Sequence, residues 1–421
     1  MDVRGDLSVD QQGTIVVRDG IGRLTPALAK VLFGRHGFVI QRPVYPDRAE
    51  TFPLAVMRTG PPSDLPVLFI PGGPGMGSVL PYVGLRATAT QHGLDAIMVE
   101  HRGVGLSRRD NRGRDLPLDA VTLEAAADDL AAVVQECGVK SVVAYGSSYG
   151  SHQAQVFAAR HPELVAAMVL DSPLLSVEDD LAMVRAHRRR LLWDGDDPAL
   201  IAVASAVQDL AATGISMAEL SHAVEVVYEF AGPQVLLRLL RARRAGRQKQ
   251  LWRQVSRLGV RQLEGRGVSG VMEPDLVAGI AYGQLGFGLP VDGEPLDPQL
   301  HFAEAAVRQP AFHGQPLDLP TQLAAFNRPL VVVSGDRDLR TPRPIAERAV
   351  SLAPDAVLVP LVNMGHSALD AHQSAAVHIA HALTVGAAHG LPAEAGRLSG
   401  LRRRGASHWL GHALNVATRL P

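Results

Sequence analysis

The sequence predicts an α/β protein built on a mostly parallel sheet with helices on both faces, interrupted by a helical insertion. Three observations point there. Short apolar runs alternate with amphipathic stretches of helical period, the rhythm of a parallel sheet. That rhythm breaks near Leu174 and resumes at Arg328. Val142–His152 reads V-V-A-Y-G-S-S-Y-G-S-H, a β-branched run, a G-x-S-x-G pentapeptide and the start of a helical pattern. At 421 residues, 47% hydrophobic and 20% charged, the chain can bury a large core with room for an insertion.

In chain order, a helix is expected over Thr25–Phe33. Strands follow at Phe38–Ile40 and Phe52–Val56, then at Pro66–Ile70, which runs into the loop Pro71-Gly72-Gly73-Pro74-Gly75. After a helical stretch, Ala96–Val99 is a strand leading into Glu100-His101-Arg102-Gly103-Val104-Gly105-Leu106-Ser107. A helix over Thr122–Glu136 is stopped by Gly138, and the strand before the pentapeptide leads into a helix ending near Arg160. Val165–Leu170 is the next strand. The insertion is expected to hold helices at Leu181–Trp193, Pro198–Ala212, Met217–Phe230 and Val235–Arg257. A strand at Pro329–Ser334, a helix at Pro344–Leu352, a strand at Ala356–Leu361 and a helix at Ala371–Ala387 complete the pattern. The expected division is 1–173 core, 174–327 helical cap, 328–390 core and 391–421 amphipathic tail.

Bulk properties narrow the chemistry. A net charge of −1 gives no field favouring nucleic acid. The single cysteine, Cys137, cannot form an internal disulfide and reads as a small packed hydrophobe; no Cys/His metal spacing occurs. No cofactor or metal is expected. No apolar run approaches membrane-spanning length and Met1–Asp6 lacks a signal core, so a cytoplasmic protein is expected. Oligomeric state is not encoded in any pattern here.

In G-x-S-x-G between strand and helix, only Ser148 is in register; Ser147 and Ser151 are not. A nucleophile at the tip of a sharp turn needs glycine two residues either side, and the following helix aims its N-terminus at a developing oxyanion. A serine requires a base, and a histidine base an acid to fix its tautomer. His366, after Gly365 and the last strand, is the expected base, with His152 its rival; His101 is expected to shape the pocket floor. The acid comes from Gly335-Asp336-Arg337-Asp338, with Asp338 favoured over Asp336, which is placed to cap its own loop. Oxyanion donors are expected at the Tyr149 and Gly73 N–H groups, with Gly72 as the alternative.

Taken together, these pieces resemble α/β hydrolases of the proline iminopeptidase and tripeptidyl aminopeptidase type. The matching residues are Gly72-Gly73-Pro74-Gly75, Arg102-Gly103-Val104-Gly105-Leu106-Ser107, Gly146-Ser147-Ser148-Tyr149-Gly150, Gly335-Asp336-Arg337-Asp338 with Thr341-Pro342, and Gly365-His366. The resemblance implies the α/β-hydrolase fold, Ser148, Asp338 and His366 as a triad, and a cap that selects substrate. The chain departs from it in three ways. Glu100-His101 stands where Asp-Gln is usual, Pro71 opens the first motif instead of His, and the Trp-rich cap motif is absent. Glu225, Glu229, Glu264 and Glu273 are then the candidates for charge near the substrate.

The expected function is hydrolysis of a small ester or amide, including a short peptide with a free N-terminus, through an acyl-enzyme. The alternatives are a carboxylesterase, an acyltransferase or lyase on the same scaffold, and a non-catalytic binding protein. Two basic stretches, the amphipathic Val235–Arg257 and Arg402-Arg403-Arg404 with the tail beyond it, read as solvated or docked helix faces, with a membrane surface or acidic ligand as the competing reading.

Overall fold

A computed structural model describes residues 7–9, 15–17, 25–259, 267–403 and 406–419. Its centre is an eight-stranded sheet. The strands are β1 (Gly37–Pro43), β2 (Thr51–Thr59), β3 (Val67–Ile70), β4 (Ala96–Val99), β5 (Val142–Ser147), β6 (Val165–Asp171), β7 (Leu330–Gly335) and β8 (Ala356–Leu361). Their spatial order is β8-β7-β6-β5-β3-β4-β2-β1. β2 runs antiparallel to both β1 and β4, and every other pair is parallel. This is the α/β-hydrolase arrangement. The order reverses between β3 and β5, and the crevice beyond the strand ends there is where open α/β sheets bind ligands.

The central strands are buried and largely apolar because both sheet faces are covered. Val142 and Ala144 of β5 pack on one side with Leu130, Val134 and Phe157. Val143 and Tyr145 point to the other, with Leu85, Ile379 and Leu383. The helix after β4 starts as its sequence suggests: the Thr122 side chain accepts the Ala125 N–H at 3.2 Å, and Gly138 ends it with a φ of 67°. Cys137 is half-buried at that helix end.

Between β6 and β7 the chain forms helices at Val177–Arg189, Ile201–Ala211, Met217–Ala231, Pro233–Arg244 and Lys249–Val255. The expected single basic helix over 235–257 is thus two helices. Gly246 and Gln248, at φ 77° and 54°, break it. Its apolar side is spent inside the insertion, where Leu236, Leu240, Leu251 and Trp252 are buried together, so no apolar face is left for a membrane. The helix expected at Ala371–Ala387 runs from Gln373 to Thr384, and a separate turn of helix, Ala368–Ala371, precedes it before His372. Beyond it, helix Leu391–Ser399 packs on β8, and helix Ala406–Ala417 packs on Met217–Ala231, adding Leu414 and Ala417 to the insertion's core. Arg404 lies outside the described residues. Arg238, on helix Pro233–Arg244, donates to Asn415 Oδ1 of the last helix at 2.7 Å. No helix among the described residues is long and apolar enough to cross a membrane.

Candidate active site

The site gathers at the carboxyl ends of β3, β5, β7 and β8. Ser148, at the end of β5, has φ 53° and ψ −121°, a backbone conformation costly for any residue bearing a Cβ. The turn is possible because its flanks are bare. A Cβ on Gly146 would stand 2.1 Å from the Gly150 carbonyl oxygen, and one on Gly150 would stand 2.0 Å from that of Ile70. The Ser148 N–H is fixed to the Asp171 carbonyl oxygen at 2.8 Å, and helix Tyr149–Arg160 starts immediately after.

The loop after β3 lies alongside. Gly72 comes so close that a Cβ there would be 3.2 Å from Ser148 Cβ. Among the described residues, neither the Gly73 nor the Tyr149 N–H donates to a protein acceptor. Glu100, the first departure from the family pattern, is buried behind this loop and accepts the Ser78 and Val79 N–H groups; burial pushes its carboxyl up to about 7. His101 lines a small pocket with Gly72 and Tyr149 and not the larger cavity that holds Ser148. Its Nδ1 lies 2.7 Å from the Arg102 carbonyl oxygen, which fixes the proton there, so Nε2 accepts from the Tyr149 hydroxyl at 2.7 Å.

From the other side, His366 Nδ1 lies 3.0 Å from Asp338 Oδ2 and 3.1 Å from Oδ1. Asp338 is buried and also accepts the Thr341 N–H and hydroxyl, each at 2.9 Å. Burial works against its charge, but the His366 contact and these donors overcome it and hold the carboxyl at about 2. Burial also opposes the charged form of His366, yet the Asp338 carboxylate outweighs it and leaves the imidazole above its ordinary value. Asp336 points elsewhere and accepts the Met364 N–H at 3.0 Å, bracing the histidine loop. His152, the rival base, accepts from the Gln315 amide at 2.9 Å and is pushed down by burial to about 3.

Ser148, His366, Gly72, Gly73 and His152 all line one cavity of about 540 Å³. The insertion supplies much of the rest, including Val226, Phe230, Tyr282 and Phe302. Of the four glutamates singled out from sequence, Glu225 and Glu229 line this cavity, one turn apart on Met217–Ala231. Glu273 lies under the β3 loop, accepting the Gly105 N–H at 2.8 Å and the Gly270 N–H at 3.0 Å. Glu264 lies outside the described residues.

Two further cavity residues carried no signal in sequence. Arg340 donates through Nε and Nη2 to Glu229 Oε2 at 3.0 and 2.6 Å. Arg188 donates through Nε to the Leu339 carbonyl oxygen at 2.8 Å and through Nη2 to Glu225. Their position two residues past Asp338, and at i and i+4 partners on a helix, becomes informative only once the loops meet. Among the described residues, no group of three or more His, Cys, Asp or Glu side chains is arranged to hold a metal ion.

A family profile described as the alpha/beta hydrolase fold matches residues 66–208. A protein of Mycoplasma genitalium, provisionally named a proline iminopeptidase, is 31% identical over 124 residues, covering 29% of this chain and 37% of that one. A protein of the same provisional name from Mycoplasma pneumoniae is 32% identical over 145 residues, covering 34% and 43%. The chain thus spans less than half the length of these curated relatives. The crystal structure of a proline iminopeptidase from Mycobacterium smegmatis aligns with a TM-score of 0.45 at 17% identity, covering 83% of this chain and 100% of that one. The esterase RhEst1 from Rhodococcus sp. ECU1013 aligns with a TM-score of 0.45 at 15% identity, covering 84% and 99%.

Proposed function

We propose that this α/β hydrolase is a cofactor-independent serine hydrolase that cleaves a small ester or amide through an acyl-enzyme. The observation that carries the reading is the His366–Asp338 contact at 3.0 Å in the same cavity as a serine held at φ 53°. In this reading His366 takes the Ser148 proton, Asp338 holds the imidazole in the tautomer that allows it, and Ser148 Oγ attacks the substrate carbonyl. The N–H groups of Tyr149 and Gly73, with Gly72 as the alternative, stabilise the oxyanion, at about 3 kcal/mol per donor. His366 then protonates the leaving group, and water enters by the same route to free the acyl group. The helices between β6 and β7 act as a cap that selects what enters.

The relatives' names suggest peptide N-termini as substrates. Against a general aminopeptidase reading stands the state of the glutamates. Both Glu229 oxygens are committed, Oε1 to the Leu339 N–H at 3.0 Å and Oε2 to Arg340. An ester or amide without a free amine therefore suits the cavity better. A fluorophosphonate probe followed by a panel of chromogenic esters and aminoacyl-arylamides tests the proposal. Labelling lost in Ser148→Ala, with turnover needing no added acceptor, is expected; equal labelling of wild type and Ser148→Ala would sink it.

A further inference from the structure

We propose that Arg340 and Arg188, with His301 beside them, form a carboxylate subsite in the cavity that holds Ser148, so that the natural substrate is an ester or amide carrying a free carboxylate. This rests on the serine-hydrolase reading for the bond that breaks, but the subsite itself is defined by groups other than Ser148, His366 and Asp338.

A guanidinium has five N–H donors in a planar fork. Arg340 spends its Nε–Nη2 edge on Glu229, and Arg188 spends Nε on a backbone carbonyl and Nη2 on Glu225. Neither Nη1 makes a hydrogen bond among the described residues, and both residues line the cavity, although only 3% of the Arg188 side chain is exposed. Arg340 keeps 42% of its side chain open there. Beside them, His301 Nε2 lies 3.6 Å from Glu225 Oε2 on a side chain only 9% exposed, and it has no hydrogen-bond partner.

The acceptor inventory argues against a cation. Glu229 has no oxygen free, and Glu225 Oε2 is held by Arg188. The remaining oxygen, Glu225 Oε1, stands 3.7 Å from Arg340 Nε, so an ammonium reaching it would lie against a guanidinium. A carboxylate meets instead the open Nη1 side of the Arg340 guanidinium, with the buried Arg188 adding positive charge behind it.

Calorimetry on the full chain tests this with adipate, 1,6-hexanediol and 1,6-diaminohexane, three probes of one length that differ only in their ends. Adipate is expected to bind at least about tenfold more tightly than the diol, with the diamine weakest. Ser148→Ala should bind adipate as well as wild type. Arg340→Gln with Glu229→Gln removes two opposite charges together, sparing the fold an orphaned glutamate, and should weaken adipate about tenfold or more. With active enzyme, the 4-methylumbelliferyl hemiester of adipic acid should exceed the hexanoate ester in kcat/KM, and that ratio should fall towards one in the double variant. A diamine that binds as tightly as adipate, or a double variant that binds adipate like wild type, overturns the proposal. Probe labelling of Ser148 without adipate binding overturns the subsite alone. Adipate binding without labelling overturns the hydrolase reading alone.

Discussion

The two halves of the candidate site are built in opposite ways. The serine half is mainly sheet-built: Ser148 and its flanking glycines follow β5, and the loop after the adjacent β3 lies beside them, meeting the insertion only farther on, where Glu273 N–H donates to the Gly75 carbonyl oxygen and Gly77 N–H to that of Val271. Its constraint is backbone against backbone, Gly150 against the Ile70 carbonyl oxygen. The acid–base half is interlocked with the insertion. Leu339, next to Asp338, is buried in the insertion's core, its N–H is taken by Glu229 and its carbonyl by Arg188. Gly365, next to His366, lies so close to helix Met217–Ala231 that a Cβ would be 2.8 Å from the Glu229 carbonyl oxygen. The nucleophile therefore depends on the sheet, whereas its partners depend on the segment that also shapes the cavity. A change in the insertion should reach proton transfer before it reaches the serine.

The largest effect expected is from Ser148→Ala, a fall in kcat of about 10⁶-fold with an unchanged circular dichroism spectrum. Asp338→Asn should cost about 10⁴-fold, because the imidazole loses the partner that sets its tautomer. Asp336→Asn, which bears only on Met364, should stay within about tenfold, and the reverse ranking would move the acid. On the serine side, Gly150→Ala should destabilise the protein by about 3 kcal/mol in urea unfolding, since the obstructing atom is main-chain oxygen. Glu229→Gln is the probe of the interlock: a loss of roughly 10- to 100-fold in kcat is expected, with fluorophosphonate labelling of Ser148 slowed in proportion. Labelling at the wild-type rate would uncouple the two halves. The smallest effect is on pH dependence. His366 must be neutral to accept a proton, and Asp338 raises its pKa. The acid limb of kcat/KM should therefore fall above the ordinary histidine value of about 6.5, and should move down in Asp338→Asn.

This contrast also explains what could be read in the sequence. The serine half is local: strand, G-x-S-x-G and helix lie in one stretch, and glycines at fixed offsets report a steric need. The sheet was legible for a similar reason, since buried parallel strands are short apolar runs. Asp338 and His366 could be nominated by their place after strands. Arg340 and Arg188 could not, because their meaning comes from Glu229 and Glu225, and only folding brings those side chains together. The basic stretch after Val235 misled for a related reason. Its arginines read as one amphipathic face, while Gly246 and Gln248 turn the chain and hide the leucines.

The docking of helix Ala406–Ala417 on Met217–Ala231 has a consequence for how the chain comes off the ribosome. The insertion is made before β7 and β8, yet its apolar centre includes Leu339, Leu414 and Ala417. An emerging chain would hold the helices Ile201–Ala211, Met217–Ala231, Pro233–Arg244 and Lys249–Val255 around an incomplete centre until these late residues arrive. Protection of the insertion from protease should then appear late in synthesis, after the sheet has closed. Helix Met217–Ala231 would reach its final place at the same time as the loops that carry Asp338 and His366.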